Sequence, residues 1–184
     1  DTFNNCKNLE TIFIPEGVKS IGVSAFWNCV KLESLAIPES VTSIKENAFS
    51  GCYSLENISI PEGVTSIGEF AFSGCSSLKS INIPESVTSI GASTFYGCSS
   101  LEPKLLVYDK GTKCYGWVGN KEKCTNVEIP DGVTSIGYAA FRGCRSLTSI
   151  KIPEGVTSIG NSAFRSCDNL TNVNIPEGVT SIGE

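Results

Sequence analysis

The hydrophobic positions of the chain recur with a fixed period, which is the interval that separates Pro38 from Pro61. One copy runs from Ile60 to Ile83 and reads Ile-Pro-Glu-Gly-Val-Thr-Ser-Ile-Gly-Glu-Phe-Ala-Phe-Ser-Gly-Cys-Ser-Ser-Leu-Lys-Ser-Ile-Asn-Ile. The proline that opens each copy recurs at Pro15, Pro38, Pro61, Pro84, Pro130, Pro153 and Pro176. A fixed period of this length predicts supersecondary units that stack on one another, because no single unit can cover its own apolar side chains.

The end of each copy predicts a short parallel strand. Ile58 and Ile60 alternate with polar residues, so we expect both isoleucines to point inward and Asn57 and Ser59 to point outward. Pro61 cannot donate a backbone hydrogen bond and should end the strand. The next segment, from Val64 to Ile67, predicts a second extended piece with its two terminal side chains inward.

The middle of each copy predicts one short helical turn. Ala71, Phe72 and Cys75 are spaced as residues on one face of a helix, although one turn is too short to be stable alone. Gly68 precedes this segment and permits a sharp change of direction. Lys45 stands in its place in another copy, so a positive φ is not expected to be required there.

The repeats divide the chain into three parts. Residues 1–106 contain regular repeats, residues 107–129 form an irregular unit, and residues 130–184 return to regular repeats. Together they predict one solenoid over residues 1–184, of α/β class. We expect a right-handed stack with a parallel concave sheet, a second row of short strands and one helical turn per repeat.

The irregular unit predicts a β-hairpin. Two β-prone runs, Leu105–Tyr108 and Lys113–Val118, flank Asp109-Lys-Gly-Thr, in which Gly111 suits a tight turn. The regular register returns at three residues that take the Leu, Ile and Ile positions of the strand, namely Cys124, Val127 and Ile129.

The consensus Ile-Pro-Glu-Gly-Val-Thr-Ser-Ile-Gly-x-x-Ala-Phe-x-x-Cys-x-x-Leu-x-x-Ile-x-Ile resembles the BspA-type (Treponema-type) leucine-rich repeat. The resemblance covers nearly the whole chain except about 20 residues around the hairpin. That family is found in bacterial surface proteins and in some protozoan parasites, and its members are associated with adhesion to host proteins and to other microbes. The resemblance therefore implies a location at the cell surface or outside the cell.

Composition narrows the classes of partner. The 184 residues are 40% hydrophobic, which is ample for a core, and carry a net charge of −5 without a basic tract. General affinity for nucleic acid needs clustered Lys and Arg, so we expect none. No apolar run is long enough to span a bilayer. The chain begins at Asp1 in mid-repeat without a signal peptide, and we expect it to be a fragment of a longer protein.

Seven of the nine cysteines fall on one position of the repeat: Cys6, Cys29, Cys52, Cys75, Cys98, Cys144 and Cys167. Equivalent side chains leave a stack in parallel, so these thiols should converge neither for a disulfide nor for zinc, and we expect buried free thiols. Cys114 and Cys124 lie off this row, both in the irregular unit. They are a candidate disulfide that would tie the hairpin to the stack, with two further buried thiols as the alternative.

No catalytic constellation emerges from the sequence. The chain has no histidine, the commonest general base, and its serines and threonines recur with the repeat rather than at one place. An acidic row follows the prolines, at Glu16, Glu39, Glu62, Glu85, Asp131, Glu154 and Glu177. It suits either Ca²⁺ binding or, as we favour, a solvated row of turns. We therefore expect no enzyme activity and no cofactor.

Two surfaces are candidates for binding. The outer face of the strands varies between copies and presents Asn57, Asn82, Glu128 and Lys151 among its polar side chains. The edge that carries the helical turns and the hairpin presents aromatic and arginine side chains, which interfaces favour: Tyr108, Tyr115, Trp117, Arg142, Arg145 and Arg165. The alternative for the hairpin aromatics is that they pack against the irregular unit and replace its missing Phe.

The leading hypothesis is a non-enzymatic binding or adhesion module at the cell surface or secreted, with a protein or glycan partner from a host or a microbe. The alternative is a structural spacer without a ligand of its own. A weaker third hypothesis is an ice-binding surface built from the Thr-Ser ladders. Incomplete repeats at both ends also predict end-to-end self-association, because their apolar edges lack polar caps.

Overall fold

The computed structural model describes residues 1–184 and groups them into two compact units, Asp1–Glu102 and Pro103–Glu184. We call these the first and the second unit, and we call each copy of the sequence pattern a repeat. Within both units equivalent residues of successive repeats pair side by side, as Ser43 does with Ser66 and Ser135 with Ser158. Each unit is therefore a β-solenoid. The continuity of one solenoid over residues 1–184 stays a prediction.

The Ser-Ile dipeptide of each repeat forms the more continuous of the two rows of strands. In the first unit these strands are β1 (Ser20–Ile21), β3 (Ser43–Ile44), β5 (Ser66–Ile67) and β6 (Ser89–Ile90). In the second unit they are β10 (Ser135–Ile136), β12 (Ser158–Ile159) and β13 (Ser181–Ile182). All pairs are parallel, and Val64 and Ile67 are buried as the pattern predicts.

The predicted first row of strands is shorter and is divided between the units. The first unit contains β2 (Ser34–Ala36) and β4 (Asn57–Ser59), and the second contains β9 (Asn126–Glu128) and β11 (Ser149–Lys151). Each pair is a two-stranded parallel sheet. Ile58 and Ile60 are buried while Asn57 and Ser59 are exposed, so the predicted alternation is confirmed.

The glycine after each Ser-Ile strand allows close contact between repeats. A Cβ atom on Gly68 would lie 2.5 Å from the backbone nitrogen of Glu46, and one on Gly91 would lie 2.3 Å from that of Glu69. Neither glycine has a positive φ, as the occurrence of Lys45 in the same position predicts. These glycines are needed because backbones of adjacent repeats touch, and not for a left-handed turn.

The predicted helical turn is wrong: the segment is a series of turns. The residue before the alanine of the repeat adopts a left-handed conformation, with φ of 54° at both Asn47 and Phe70, and a right-handed helix cannot continue through it. Alternate backbone N–H groups then bond within and between repeats. Ser50 N donates to Asn47 O at 3.0 Å, whereas Phe49 N donates to Ala71 O of the next repeat at 2.8 Å. The units thus contain almost no helix.

Stacked phenylalanines fill the centre of the regular repeats. In the first unit Phe3, Phe26, Phe49, Phe72 and Phe95 form one column with centroids 5.3–5.8 Å apart and nearly parallel rings. Phe141 and Phe164 repeat this contact at 5.4 Å in the second unit. Phe49, Phe72 and Phe141 are fully buried. Each ring is therefore covered by its neighbours in the stack, as the repeat predicts.

The hairpin of the second unit is confirmed, and its second arm joins the stack. Strand β7 (Lys104–Tyr108) pairs with the antiparallel strand β8 (Lys113–Val118), with a bulge between Leu106 and Val107. Gly111 has φ +81° in the turn. Strand β8 also pairs in parallel with β10, so that Lys113 lies beside Ser135 and Cys114 beside Ile136. The hairpin thereby supplies the Ser-Ile strand of the irregular unit.

The remainder of the irregular unit returns to the regular register. Cys124, Val127 and Ile129 are buried in the Leu, Ile and Ile positions, as predicted. A single turn of 3₁₀ helix, Lys121–Lys123, precedes them and is capped by the Asn120 side chain, which accepts from Glu122 N. Val118, which lies one period before Phe141 in the sequence, is buried as well.

Candidate binding surfaces and the thiol cluster

The turn edge of the first unit carries a group of exposed aromatic side chains. Each of the four repeats that begin at Pro15, Pro38, Pro61 and Pro84 contributes one, and the exposed fraction is 39% at Trp27 and Phe70, 51% at Tyr53 and 73% at Tyr96. We call these four residues the aromatic edge. The neighbouring repeats carry serine at the same positions, such as Ser50 and Ser73 beside Trp27 and Tyr96. The aromatic rings therefore rise from a surface of small polar residues.

Phe70 is exposed in a conformation that does not suit it. Its φ of 54° lies in the left-handed region, where the equivalent residues of other repeats are Ser24, Asn47, Ser93, Ala139 and Ser162. A bulky side chain in this region is an outlier that costs of order 1–3 kcal/mol. The residue is also more than a third exposed, so it gains less from packing than the buried phenylalanines of the column do.

The predicted strand face is exposed and carries polar and charged side chains. Asn57 and Asn82 are exposed in the first unit, and Glu128 and Lys151 are exposed in the second. Lys151 Nζ lies 2.5 Å from Glu128 Oε1 and bridges two adjacent repeats. This pairing lowers the pKa of Glu128 and raises the pKa of Lys151. The two charges form an exposed ion pair, and such pairs contribute little to the stability of a fold.

The predicted hairpin aromatics are partly covered. Tyr108, Tyr115 and Trp117 are all half-buried. Trp117 packs against the core of the second unit, and its indole Nε1 donates to Asn120 O at 3.1 Å. Lys113 lies over the Tyr108 ring, with Nζ 5.7 Å from the centroid, and pairs with Asp109 at 2.9 Å. This arrangement favours packing against the irregular unit over an open binding surface.

The predicted arginines form an exposed group on the turn edge of the second unit. Gly143 N donates to Arg165 O at 2.9 Å, so the turns that carry Arg142 and Arg165 lie side by side. Arg145 pairs with Asp168 at 3.4 Å. The structure thus brings the three arginines to one edge, whereas the strand-face residues Asn57, Asn82, Glu128 and Lys151 lie on another surface of the repeats.

Sequence reasoning missed Tyr53 and Phe70 as surface residues. The signal was present, because each replaces a serine or another small residue that recurs at its repeat position. It also missed Lys121, which lies one period after Cys98 and one period before Cys144 and so occupies the cysteine position of the irregular unit. Comparison of the repeats position by position would have found all three.

The ladder cysteines are free thiols in a repeated setting. The Sγ atoms of Cys29, Cys52, Cys75, Cys98 and Cys167 each donate to the phenylalanine carbonyl of the preceding repeat, at 3.1–3.3 Å. Burial raises the pKa of Cys52 and of Cys98 to about 12. These thiols stay protonated at neutral pH and act as small core side chains.

Cys114 and Cys124, the candidate disulfide, are both buried free thiols in the structure. Cys114 lies on β8 in an isoleucine position, and burial raises its pKa to about 12. Cys124 is buried in a leucine position, one period after Leu101 and one period before Leu147. Both cysteines therefore occupy core positions of the stack.

The structure contains no group of three or more Cys, Asp or Glu side chains that could hold a metal ion. None of its helices has the length and apolar character needed to cross a membrane.

The fixed period, the buried phenylalanine column and the two rows of parallel strands agree with one family model. The model of the BspA-type leucine-rich repeat region matches six copies, over residues 1–104 and 117–184. The chain belongs to the BspA-type leucine-rich repeat family. The residues outside the match, 105–116, are most of the hairpin, so the family pattern is interrupted where the structure is irregular.

Solved structures of bacterial leucine-rich repeat proteins are similar to the chain. A leucine-rich repeat protein from Bacteroides ovatus is 33% identical with a TM-score of 0.74, over 98% of this chain and 46% of the other. The leucine-rich repeat protein of T. pallidum is also 33% identical, with a TM-score of 0.59, over 95% of this chain and 73% of the other.

A leucine rich cell surface protein from Faecalibacterium prausnitzii is 27% identical with a TM-score of 0.58, over 98% of this chain and 64% of the other. The chain spans about half the length of the Bacteroides ovatus protein. No curated protein sequence matches the chain.

Proposed function

We propose that the chain is a non-enzymatic binding module displayed at the cell surface or secreted, and that it binds a protein partner through the aromatic edge of the first unit. The observation that carries the proposal is the set of four exposed aromatic rings, one from each of four successive repeats. Aromatic side chains are enriched at protein interfaces and supply most of the strongest single contacts. Similarity to a leucine rich cell surface protein supports the location.

The distribution of exposed apolar residues supports this surface over the strand face. Isolated exposed hydrophobic residues are normal on any protein, but here they gather on one edge. In the first unit the exposed Val23 belongs to the same turn segment of the repeat, whereas Phe13, which is 85% exposed, belongs to the strand segment. The strained backbone of Phe70 adds a second reason, since strain at an exposed site is retained where the side chain has a use.

A substitution set taken from the repeats themselves tests the proposal. Trp27→Ser, Tyr53→Ser, Phe70→Ser and Tyr96→Ser each install a residue that other repeats carry at that position, so the combined variant should fold normally. The protein and this variant are compared against a panel of purified extracellular-matrix proteins and a glycan array. We expect a protein ligand whose Kd rises at least about 100-fold in the variant.

A matched control changes the strand face and leaves the aromatic edge intact. Asn57→Ser and Asn82→Ser should leave the Kd unchanged. Binding to glycans alone would replace the protein partner, and equal loss in the control would move the site to the strand face. A complete lack of binding in the panel would favour the structural spacer.

A further inference from the structure

The three arginines of the chain, Arg142, Arg145 and Arg165, lie together on the turn edge of the second unit, and all three are exposed. The first unit contains no arginine. The other charges are divided in the same sense: residues 1–102 contain five basic and 11 acidic residues, whereas residues 103–184 contain nine basic and eight acidic ones. The net negative charge of the protein therefore belongs to the first unit, and the arginines stand on a unit that does not repel anions.

Two contacts hold the turns that carry Arg142 and Arg165 side by side. The rings of Phe141 and Phe164, which directly precede the two arginines, stack with centroids 5.4 Å apart and planes within 4° of parallel. On the other side of Arg142, Gly143 N donates to Arg165 O at 2.9 Å. The two arginine side chains therefore leave adjacent repeats from backbones about 5 Å apart, which is the spacing of paired strands.

Neither Arg142 nor Arg165 forms an ion pair within the protein. The arginine that does so is Arg145, whose Nε lies 3.4 Å from Asp168 Oδ2. Like charges at adjacent positions of neighbouring strands are destabilising. The stacked arginines are thus unfavourable for the fold itself, and an anion bound between them would offset their repulsion.

The spacing of the two arginines selects the class of anion. A guanidinium is a planar fork that donates two parallel hydrogen bonds to one anion. One fork already engages both oxygens of a carboxylate, whereas a sulfate or phosphate ester has three free oxygens and can accept from two forks. Acidic side chains on one face of an extended peptide recur at about 6.6 Å, because alternate residues point the same way, and match the arginine spacing less well.

We propose that the turn edge of the second unit binds a sulfated polysaccharide, with one sulfate ester held between Arg142 and Arg165. Arg145 is a weaker additional contact, because Asp168 already accepts from its guanidinium. The choice of a sulfated polysaccharide over a phosphate ester rests on the proposed function, which places the chain at the cell surface or outside the cell, where such polyanions occur. The aromatic edge belongs to the first unit, so a protein partner and the polysaccharide have separate sites.

Binding to immobilised heparin at low ionic strength tests the proposal. Desulfated heparin and polyglutamate, which carry carboxylates without sulfate esters, are the comparison polyanions. We expect the protein to bind heparin, with a Kd at least about tenfold lower than for either comparison polyanion. A lack of heparin binding, or equal affinity for the three polyanions, would overturn the proposal.

The double variant Arg142→Ser/Arg165→Ser tests the two forks. Ser50 and Ser73 stand at this repeat position in the first unit, so the variant should fold. We expect its Kd for heparin to rise at least about tenfold. The plot of log K against log salt should become shallower by about one to two, since fewer counterions are released. An unchanged Kd would overturn the site.

The matched control, Lys110→Asn/Lys151→Ser, removes two exposed positive charges from the hairpin turn and the strand face of the same unit. Asparagine suits the φ of 54° at Lys110, and Ser59 stands at the repeat position of Lys151. The control should bind heparin as the parent does, and an equal loss would show that net charge alone governs binding. Urea unfolding completes the comparison: the double serine variant should keep or raise the midpoint, because a repulsion is removed. A lower midpoint would give the arginines a structural role instead.

Two further variants examine the geometry of the site. Arg142→Lys/Arg165→Lys keeps both charges but loses both forks, and it should raise the Kd for heparin about threefold or more. Asp168→Ser installs the residue that Ser76 provides in the first unit and frees Arg145, so it should lower the Kd about twofold or more. An unchanged Kd in the lysine variant would contradict the fork, and an unchanged Kd in Asp168→Ser would contradict the contact from Arg145.

The source of the anion and the independence of the two sites are tested last. Tighter binding to phosphatidylcholine vesicles that contain phosphatidic acid than to heparin would overturn the assignment to a sulfated polysaccharide. The variant that replaces the four residues of the aromatic edge by serine should bind heparin as the parent does. A failure of the proposed protein partner and a failure of this inference are therefore separate results.

Discussion

Regular and irregular repeats cover the interior of the stack in different ways. In a regular repeat a phenylalanine ring is covered by equivalent rings above and below it, as Phe49 is by Phe26 and Phe72. In the irregular unit a hairpin strand lies beside β10, and the residue one period before Phe141 is the buried Val118. The comparison teaches that pairing with the next repeat is retained even where the repeat sequence is lost. What changes is the chemistry of the interior, where Lys121 and Cys124 replace a cysteine and a leucine.

The largest expected effect comes from removing a stacked ring. Phe141→Ala removes a fully buried side chain and should lower the free energy of unfolding of the second unit by about 3–5 kcal/mol. Val118→Ala, at the buried residue one period before Phe141, should cost about 2 kcal/mol, because fewer buried carbons are lost. Urea unfolding of both variants measures the difference. Equal losses would show that the irregular unit depends on Val118 as strongly as a regular repeat depends on its ring.

The next largest effect is a dependence of stability on pH, which the buried ladder thiols produce. The pKa of Cys52 is about 12 in the folded protein, above its value of 9.0 in a model thiol. The unfolded thiol therefore loses its proton first, and the stability that it contributes is fully present below pH 9 and is lost as the pH rises toward 12. At pH 10 each such thiol should lower the free energy of unfolding by about 1.4 kcal/mol relative to neutral pH.

Cys52→Ala provides the control for this pH dependence. The variant is less stable than the parent at pH 7, because a buried side chain is truncated, but the difference should narrow by about 1.4 kcal/mol at pH 10. Urea unfolding at the two pH values measures it. A constant difference would show that Cys52 is not held protonated by the core.

A smaller effect concerns the strain at Phe70. Phe70→Asn installs the residue that the neighbouring repeat carries as Asn47, and asparagine tolerates the left-handed conformation. We expect the variant to be more stable by about 1 kcal/mol, since the backbone strain is relieved. Ser93→Asn at the same repeat position is the matched control and should change stability less. A loss of stability in Phe70→Asn would mean that the exposed ring packs more firmly than its exposure indicates.

The smallest effect is expected on the strand face. Lys151→Ser breaks the exposed pair with Glu128 and should leave the urea midpoint of the second unit unchanged within error. A measurable shift of the urea midpoint would show that this face contributes to the stability of the stack. It would weaken the contrast between surface and core.

Much of this fold could be predicted because the same pattern of inward and outward residues recurs in every regular repeat, so a position that is ambiguous in one copy is clear in the others. The inward positions of Ile58, Ile60 and Val64, and the hairpin around Gly111, follow from alternation and turn chemistry. The predicted helical turn is wrong because the spacing of Ala71, Phe72 and Cys75 is that of a helix, although Phe70 has a positive φ. The type of residue at this position does not reveal the sign of φ. Serine, asparagine, alanine and phenylalanine all occupy that position, so none of them marks a left-handed residue.

The candidate sites were less predictable for a different reason. The arginines and the exposed polar residues of the strand face follow from the period, but the exposure of Tyr53 depends on a turn whose spacing resembles that of a helix. The environment of Cys124 depends on which repeat position it occupies in three dimensions. Proximity in sequence favours a bridge to Cys114, on the hairpin, whereas stacking places Cys124 in a buried leucine position as a free thiol.

The place of the hairpin in the stack is the central claim, and amide hydrogen exchange tests it most directly. Trp117 N donates to Ala140 O at 2.9 Å and Gly137 N donates to Cys114 O at 2.8 Å, just as Phe141 N donates to Ala163 O between regular repeats. We predict that the amides of Trp117 and Gly137 are protected to within about tenfold of that of Phe141, because all three open only when the stack opens. Exchange at Trp117 and Gly137 as fast as at the hairpin turn residue Lys110 would contradict the account, since the hairpin would then lie against the stack without being part of it.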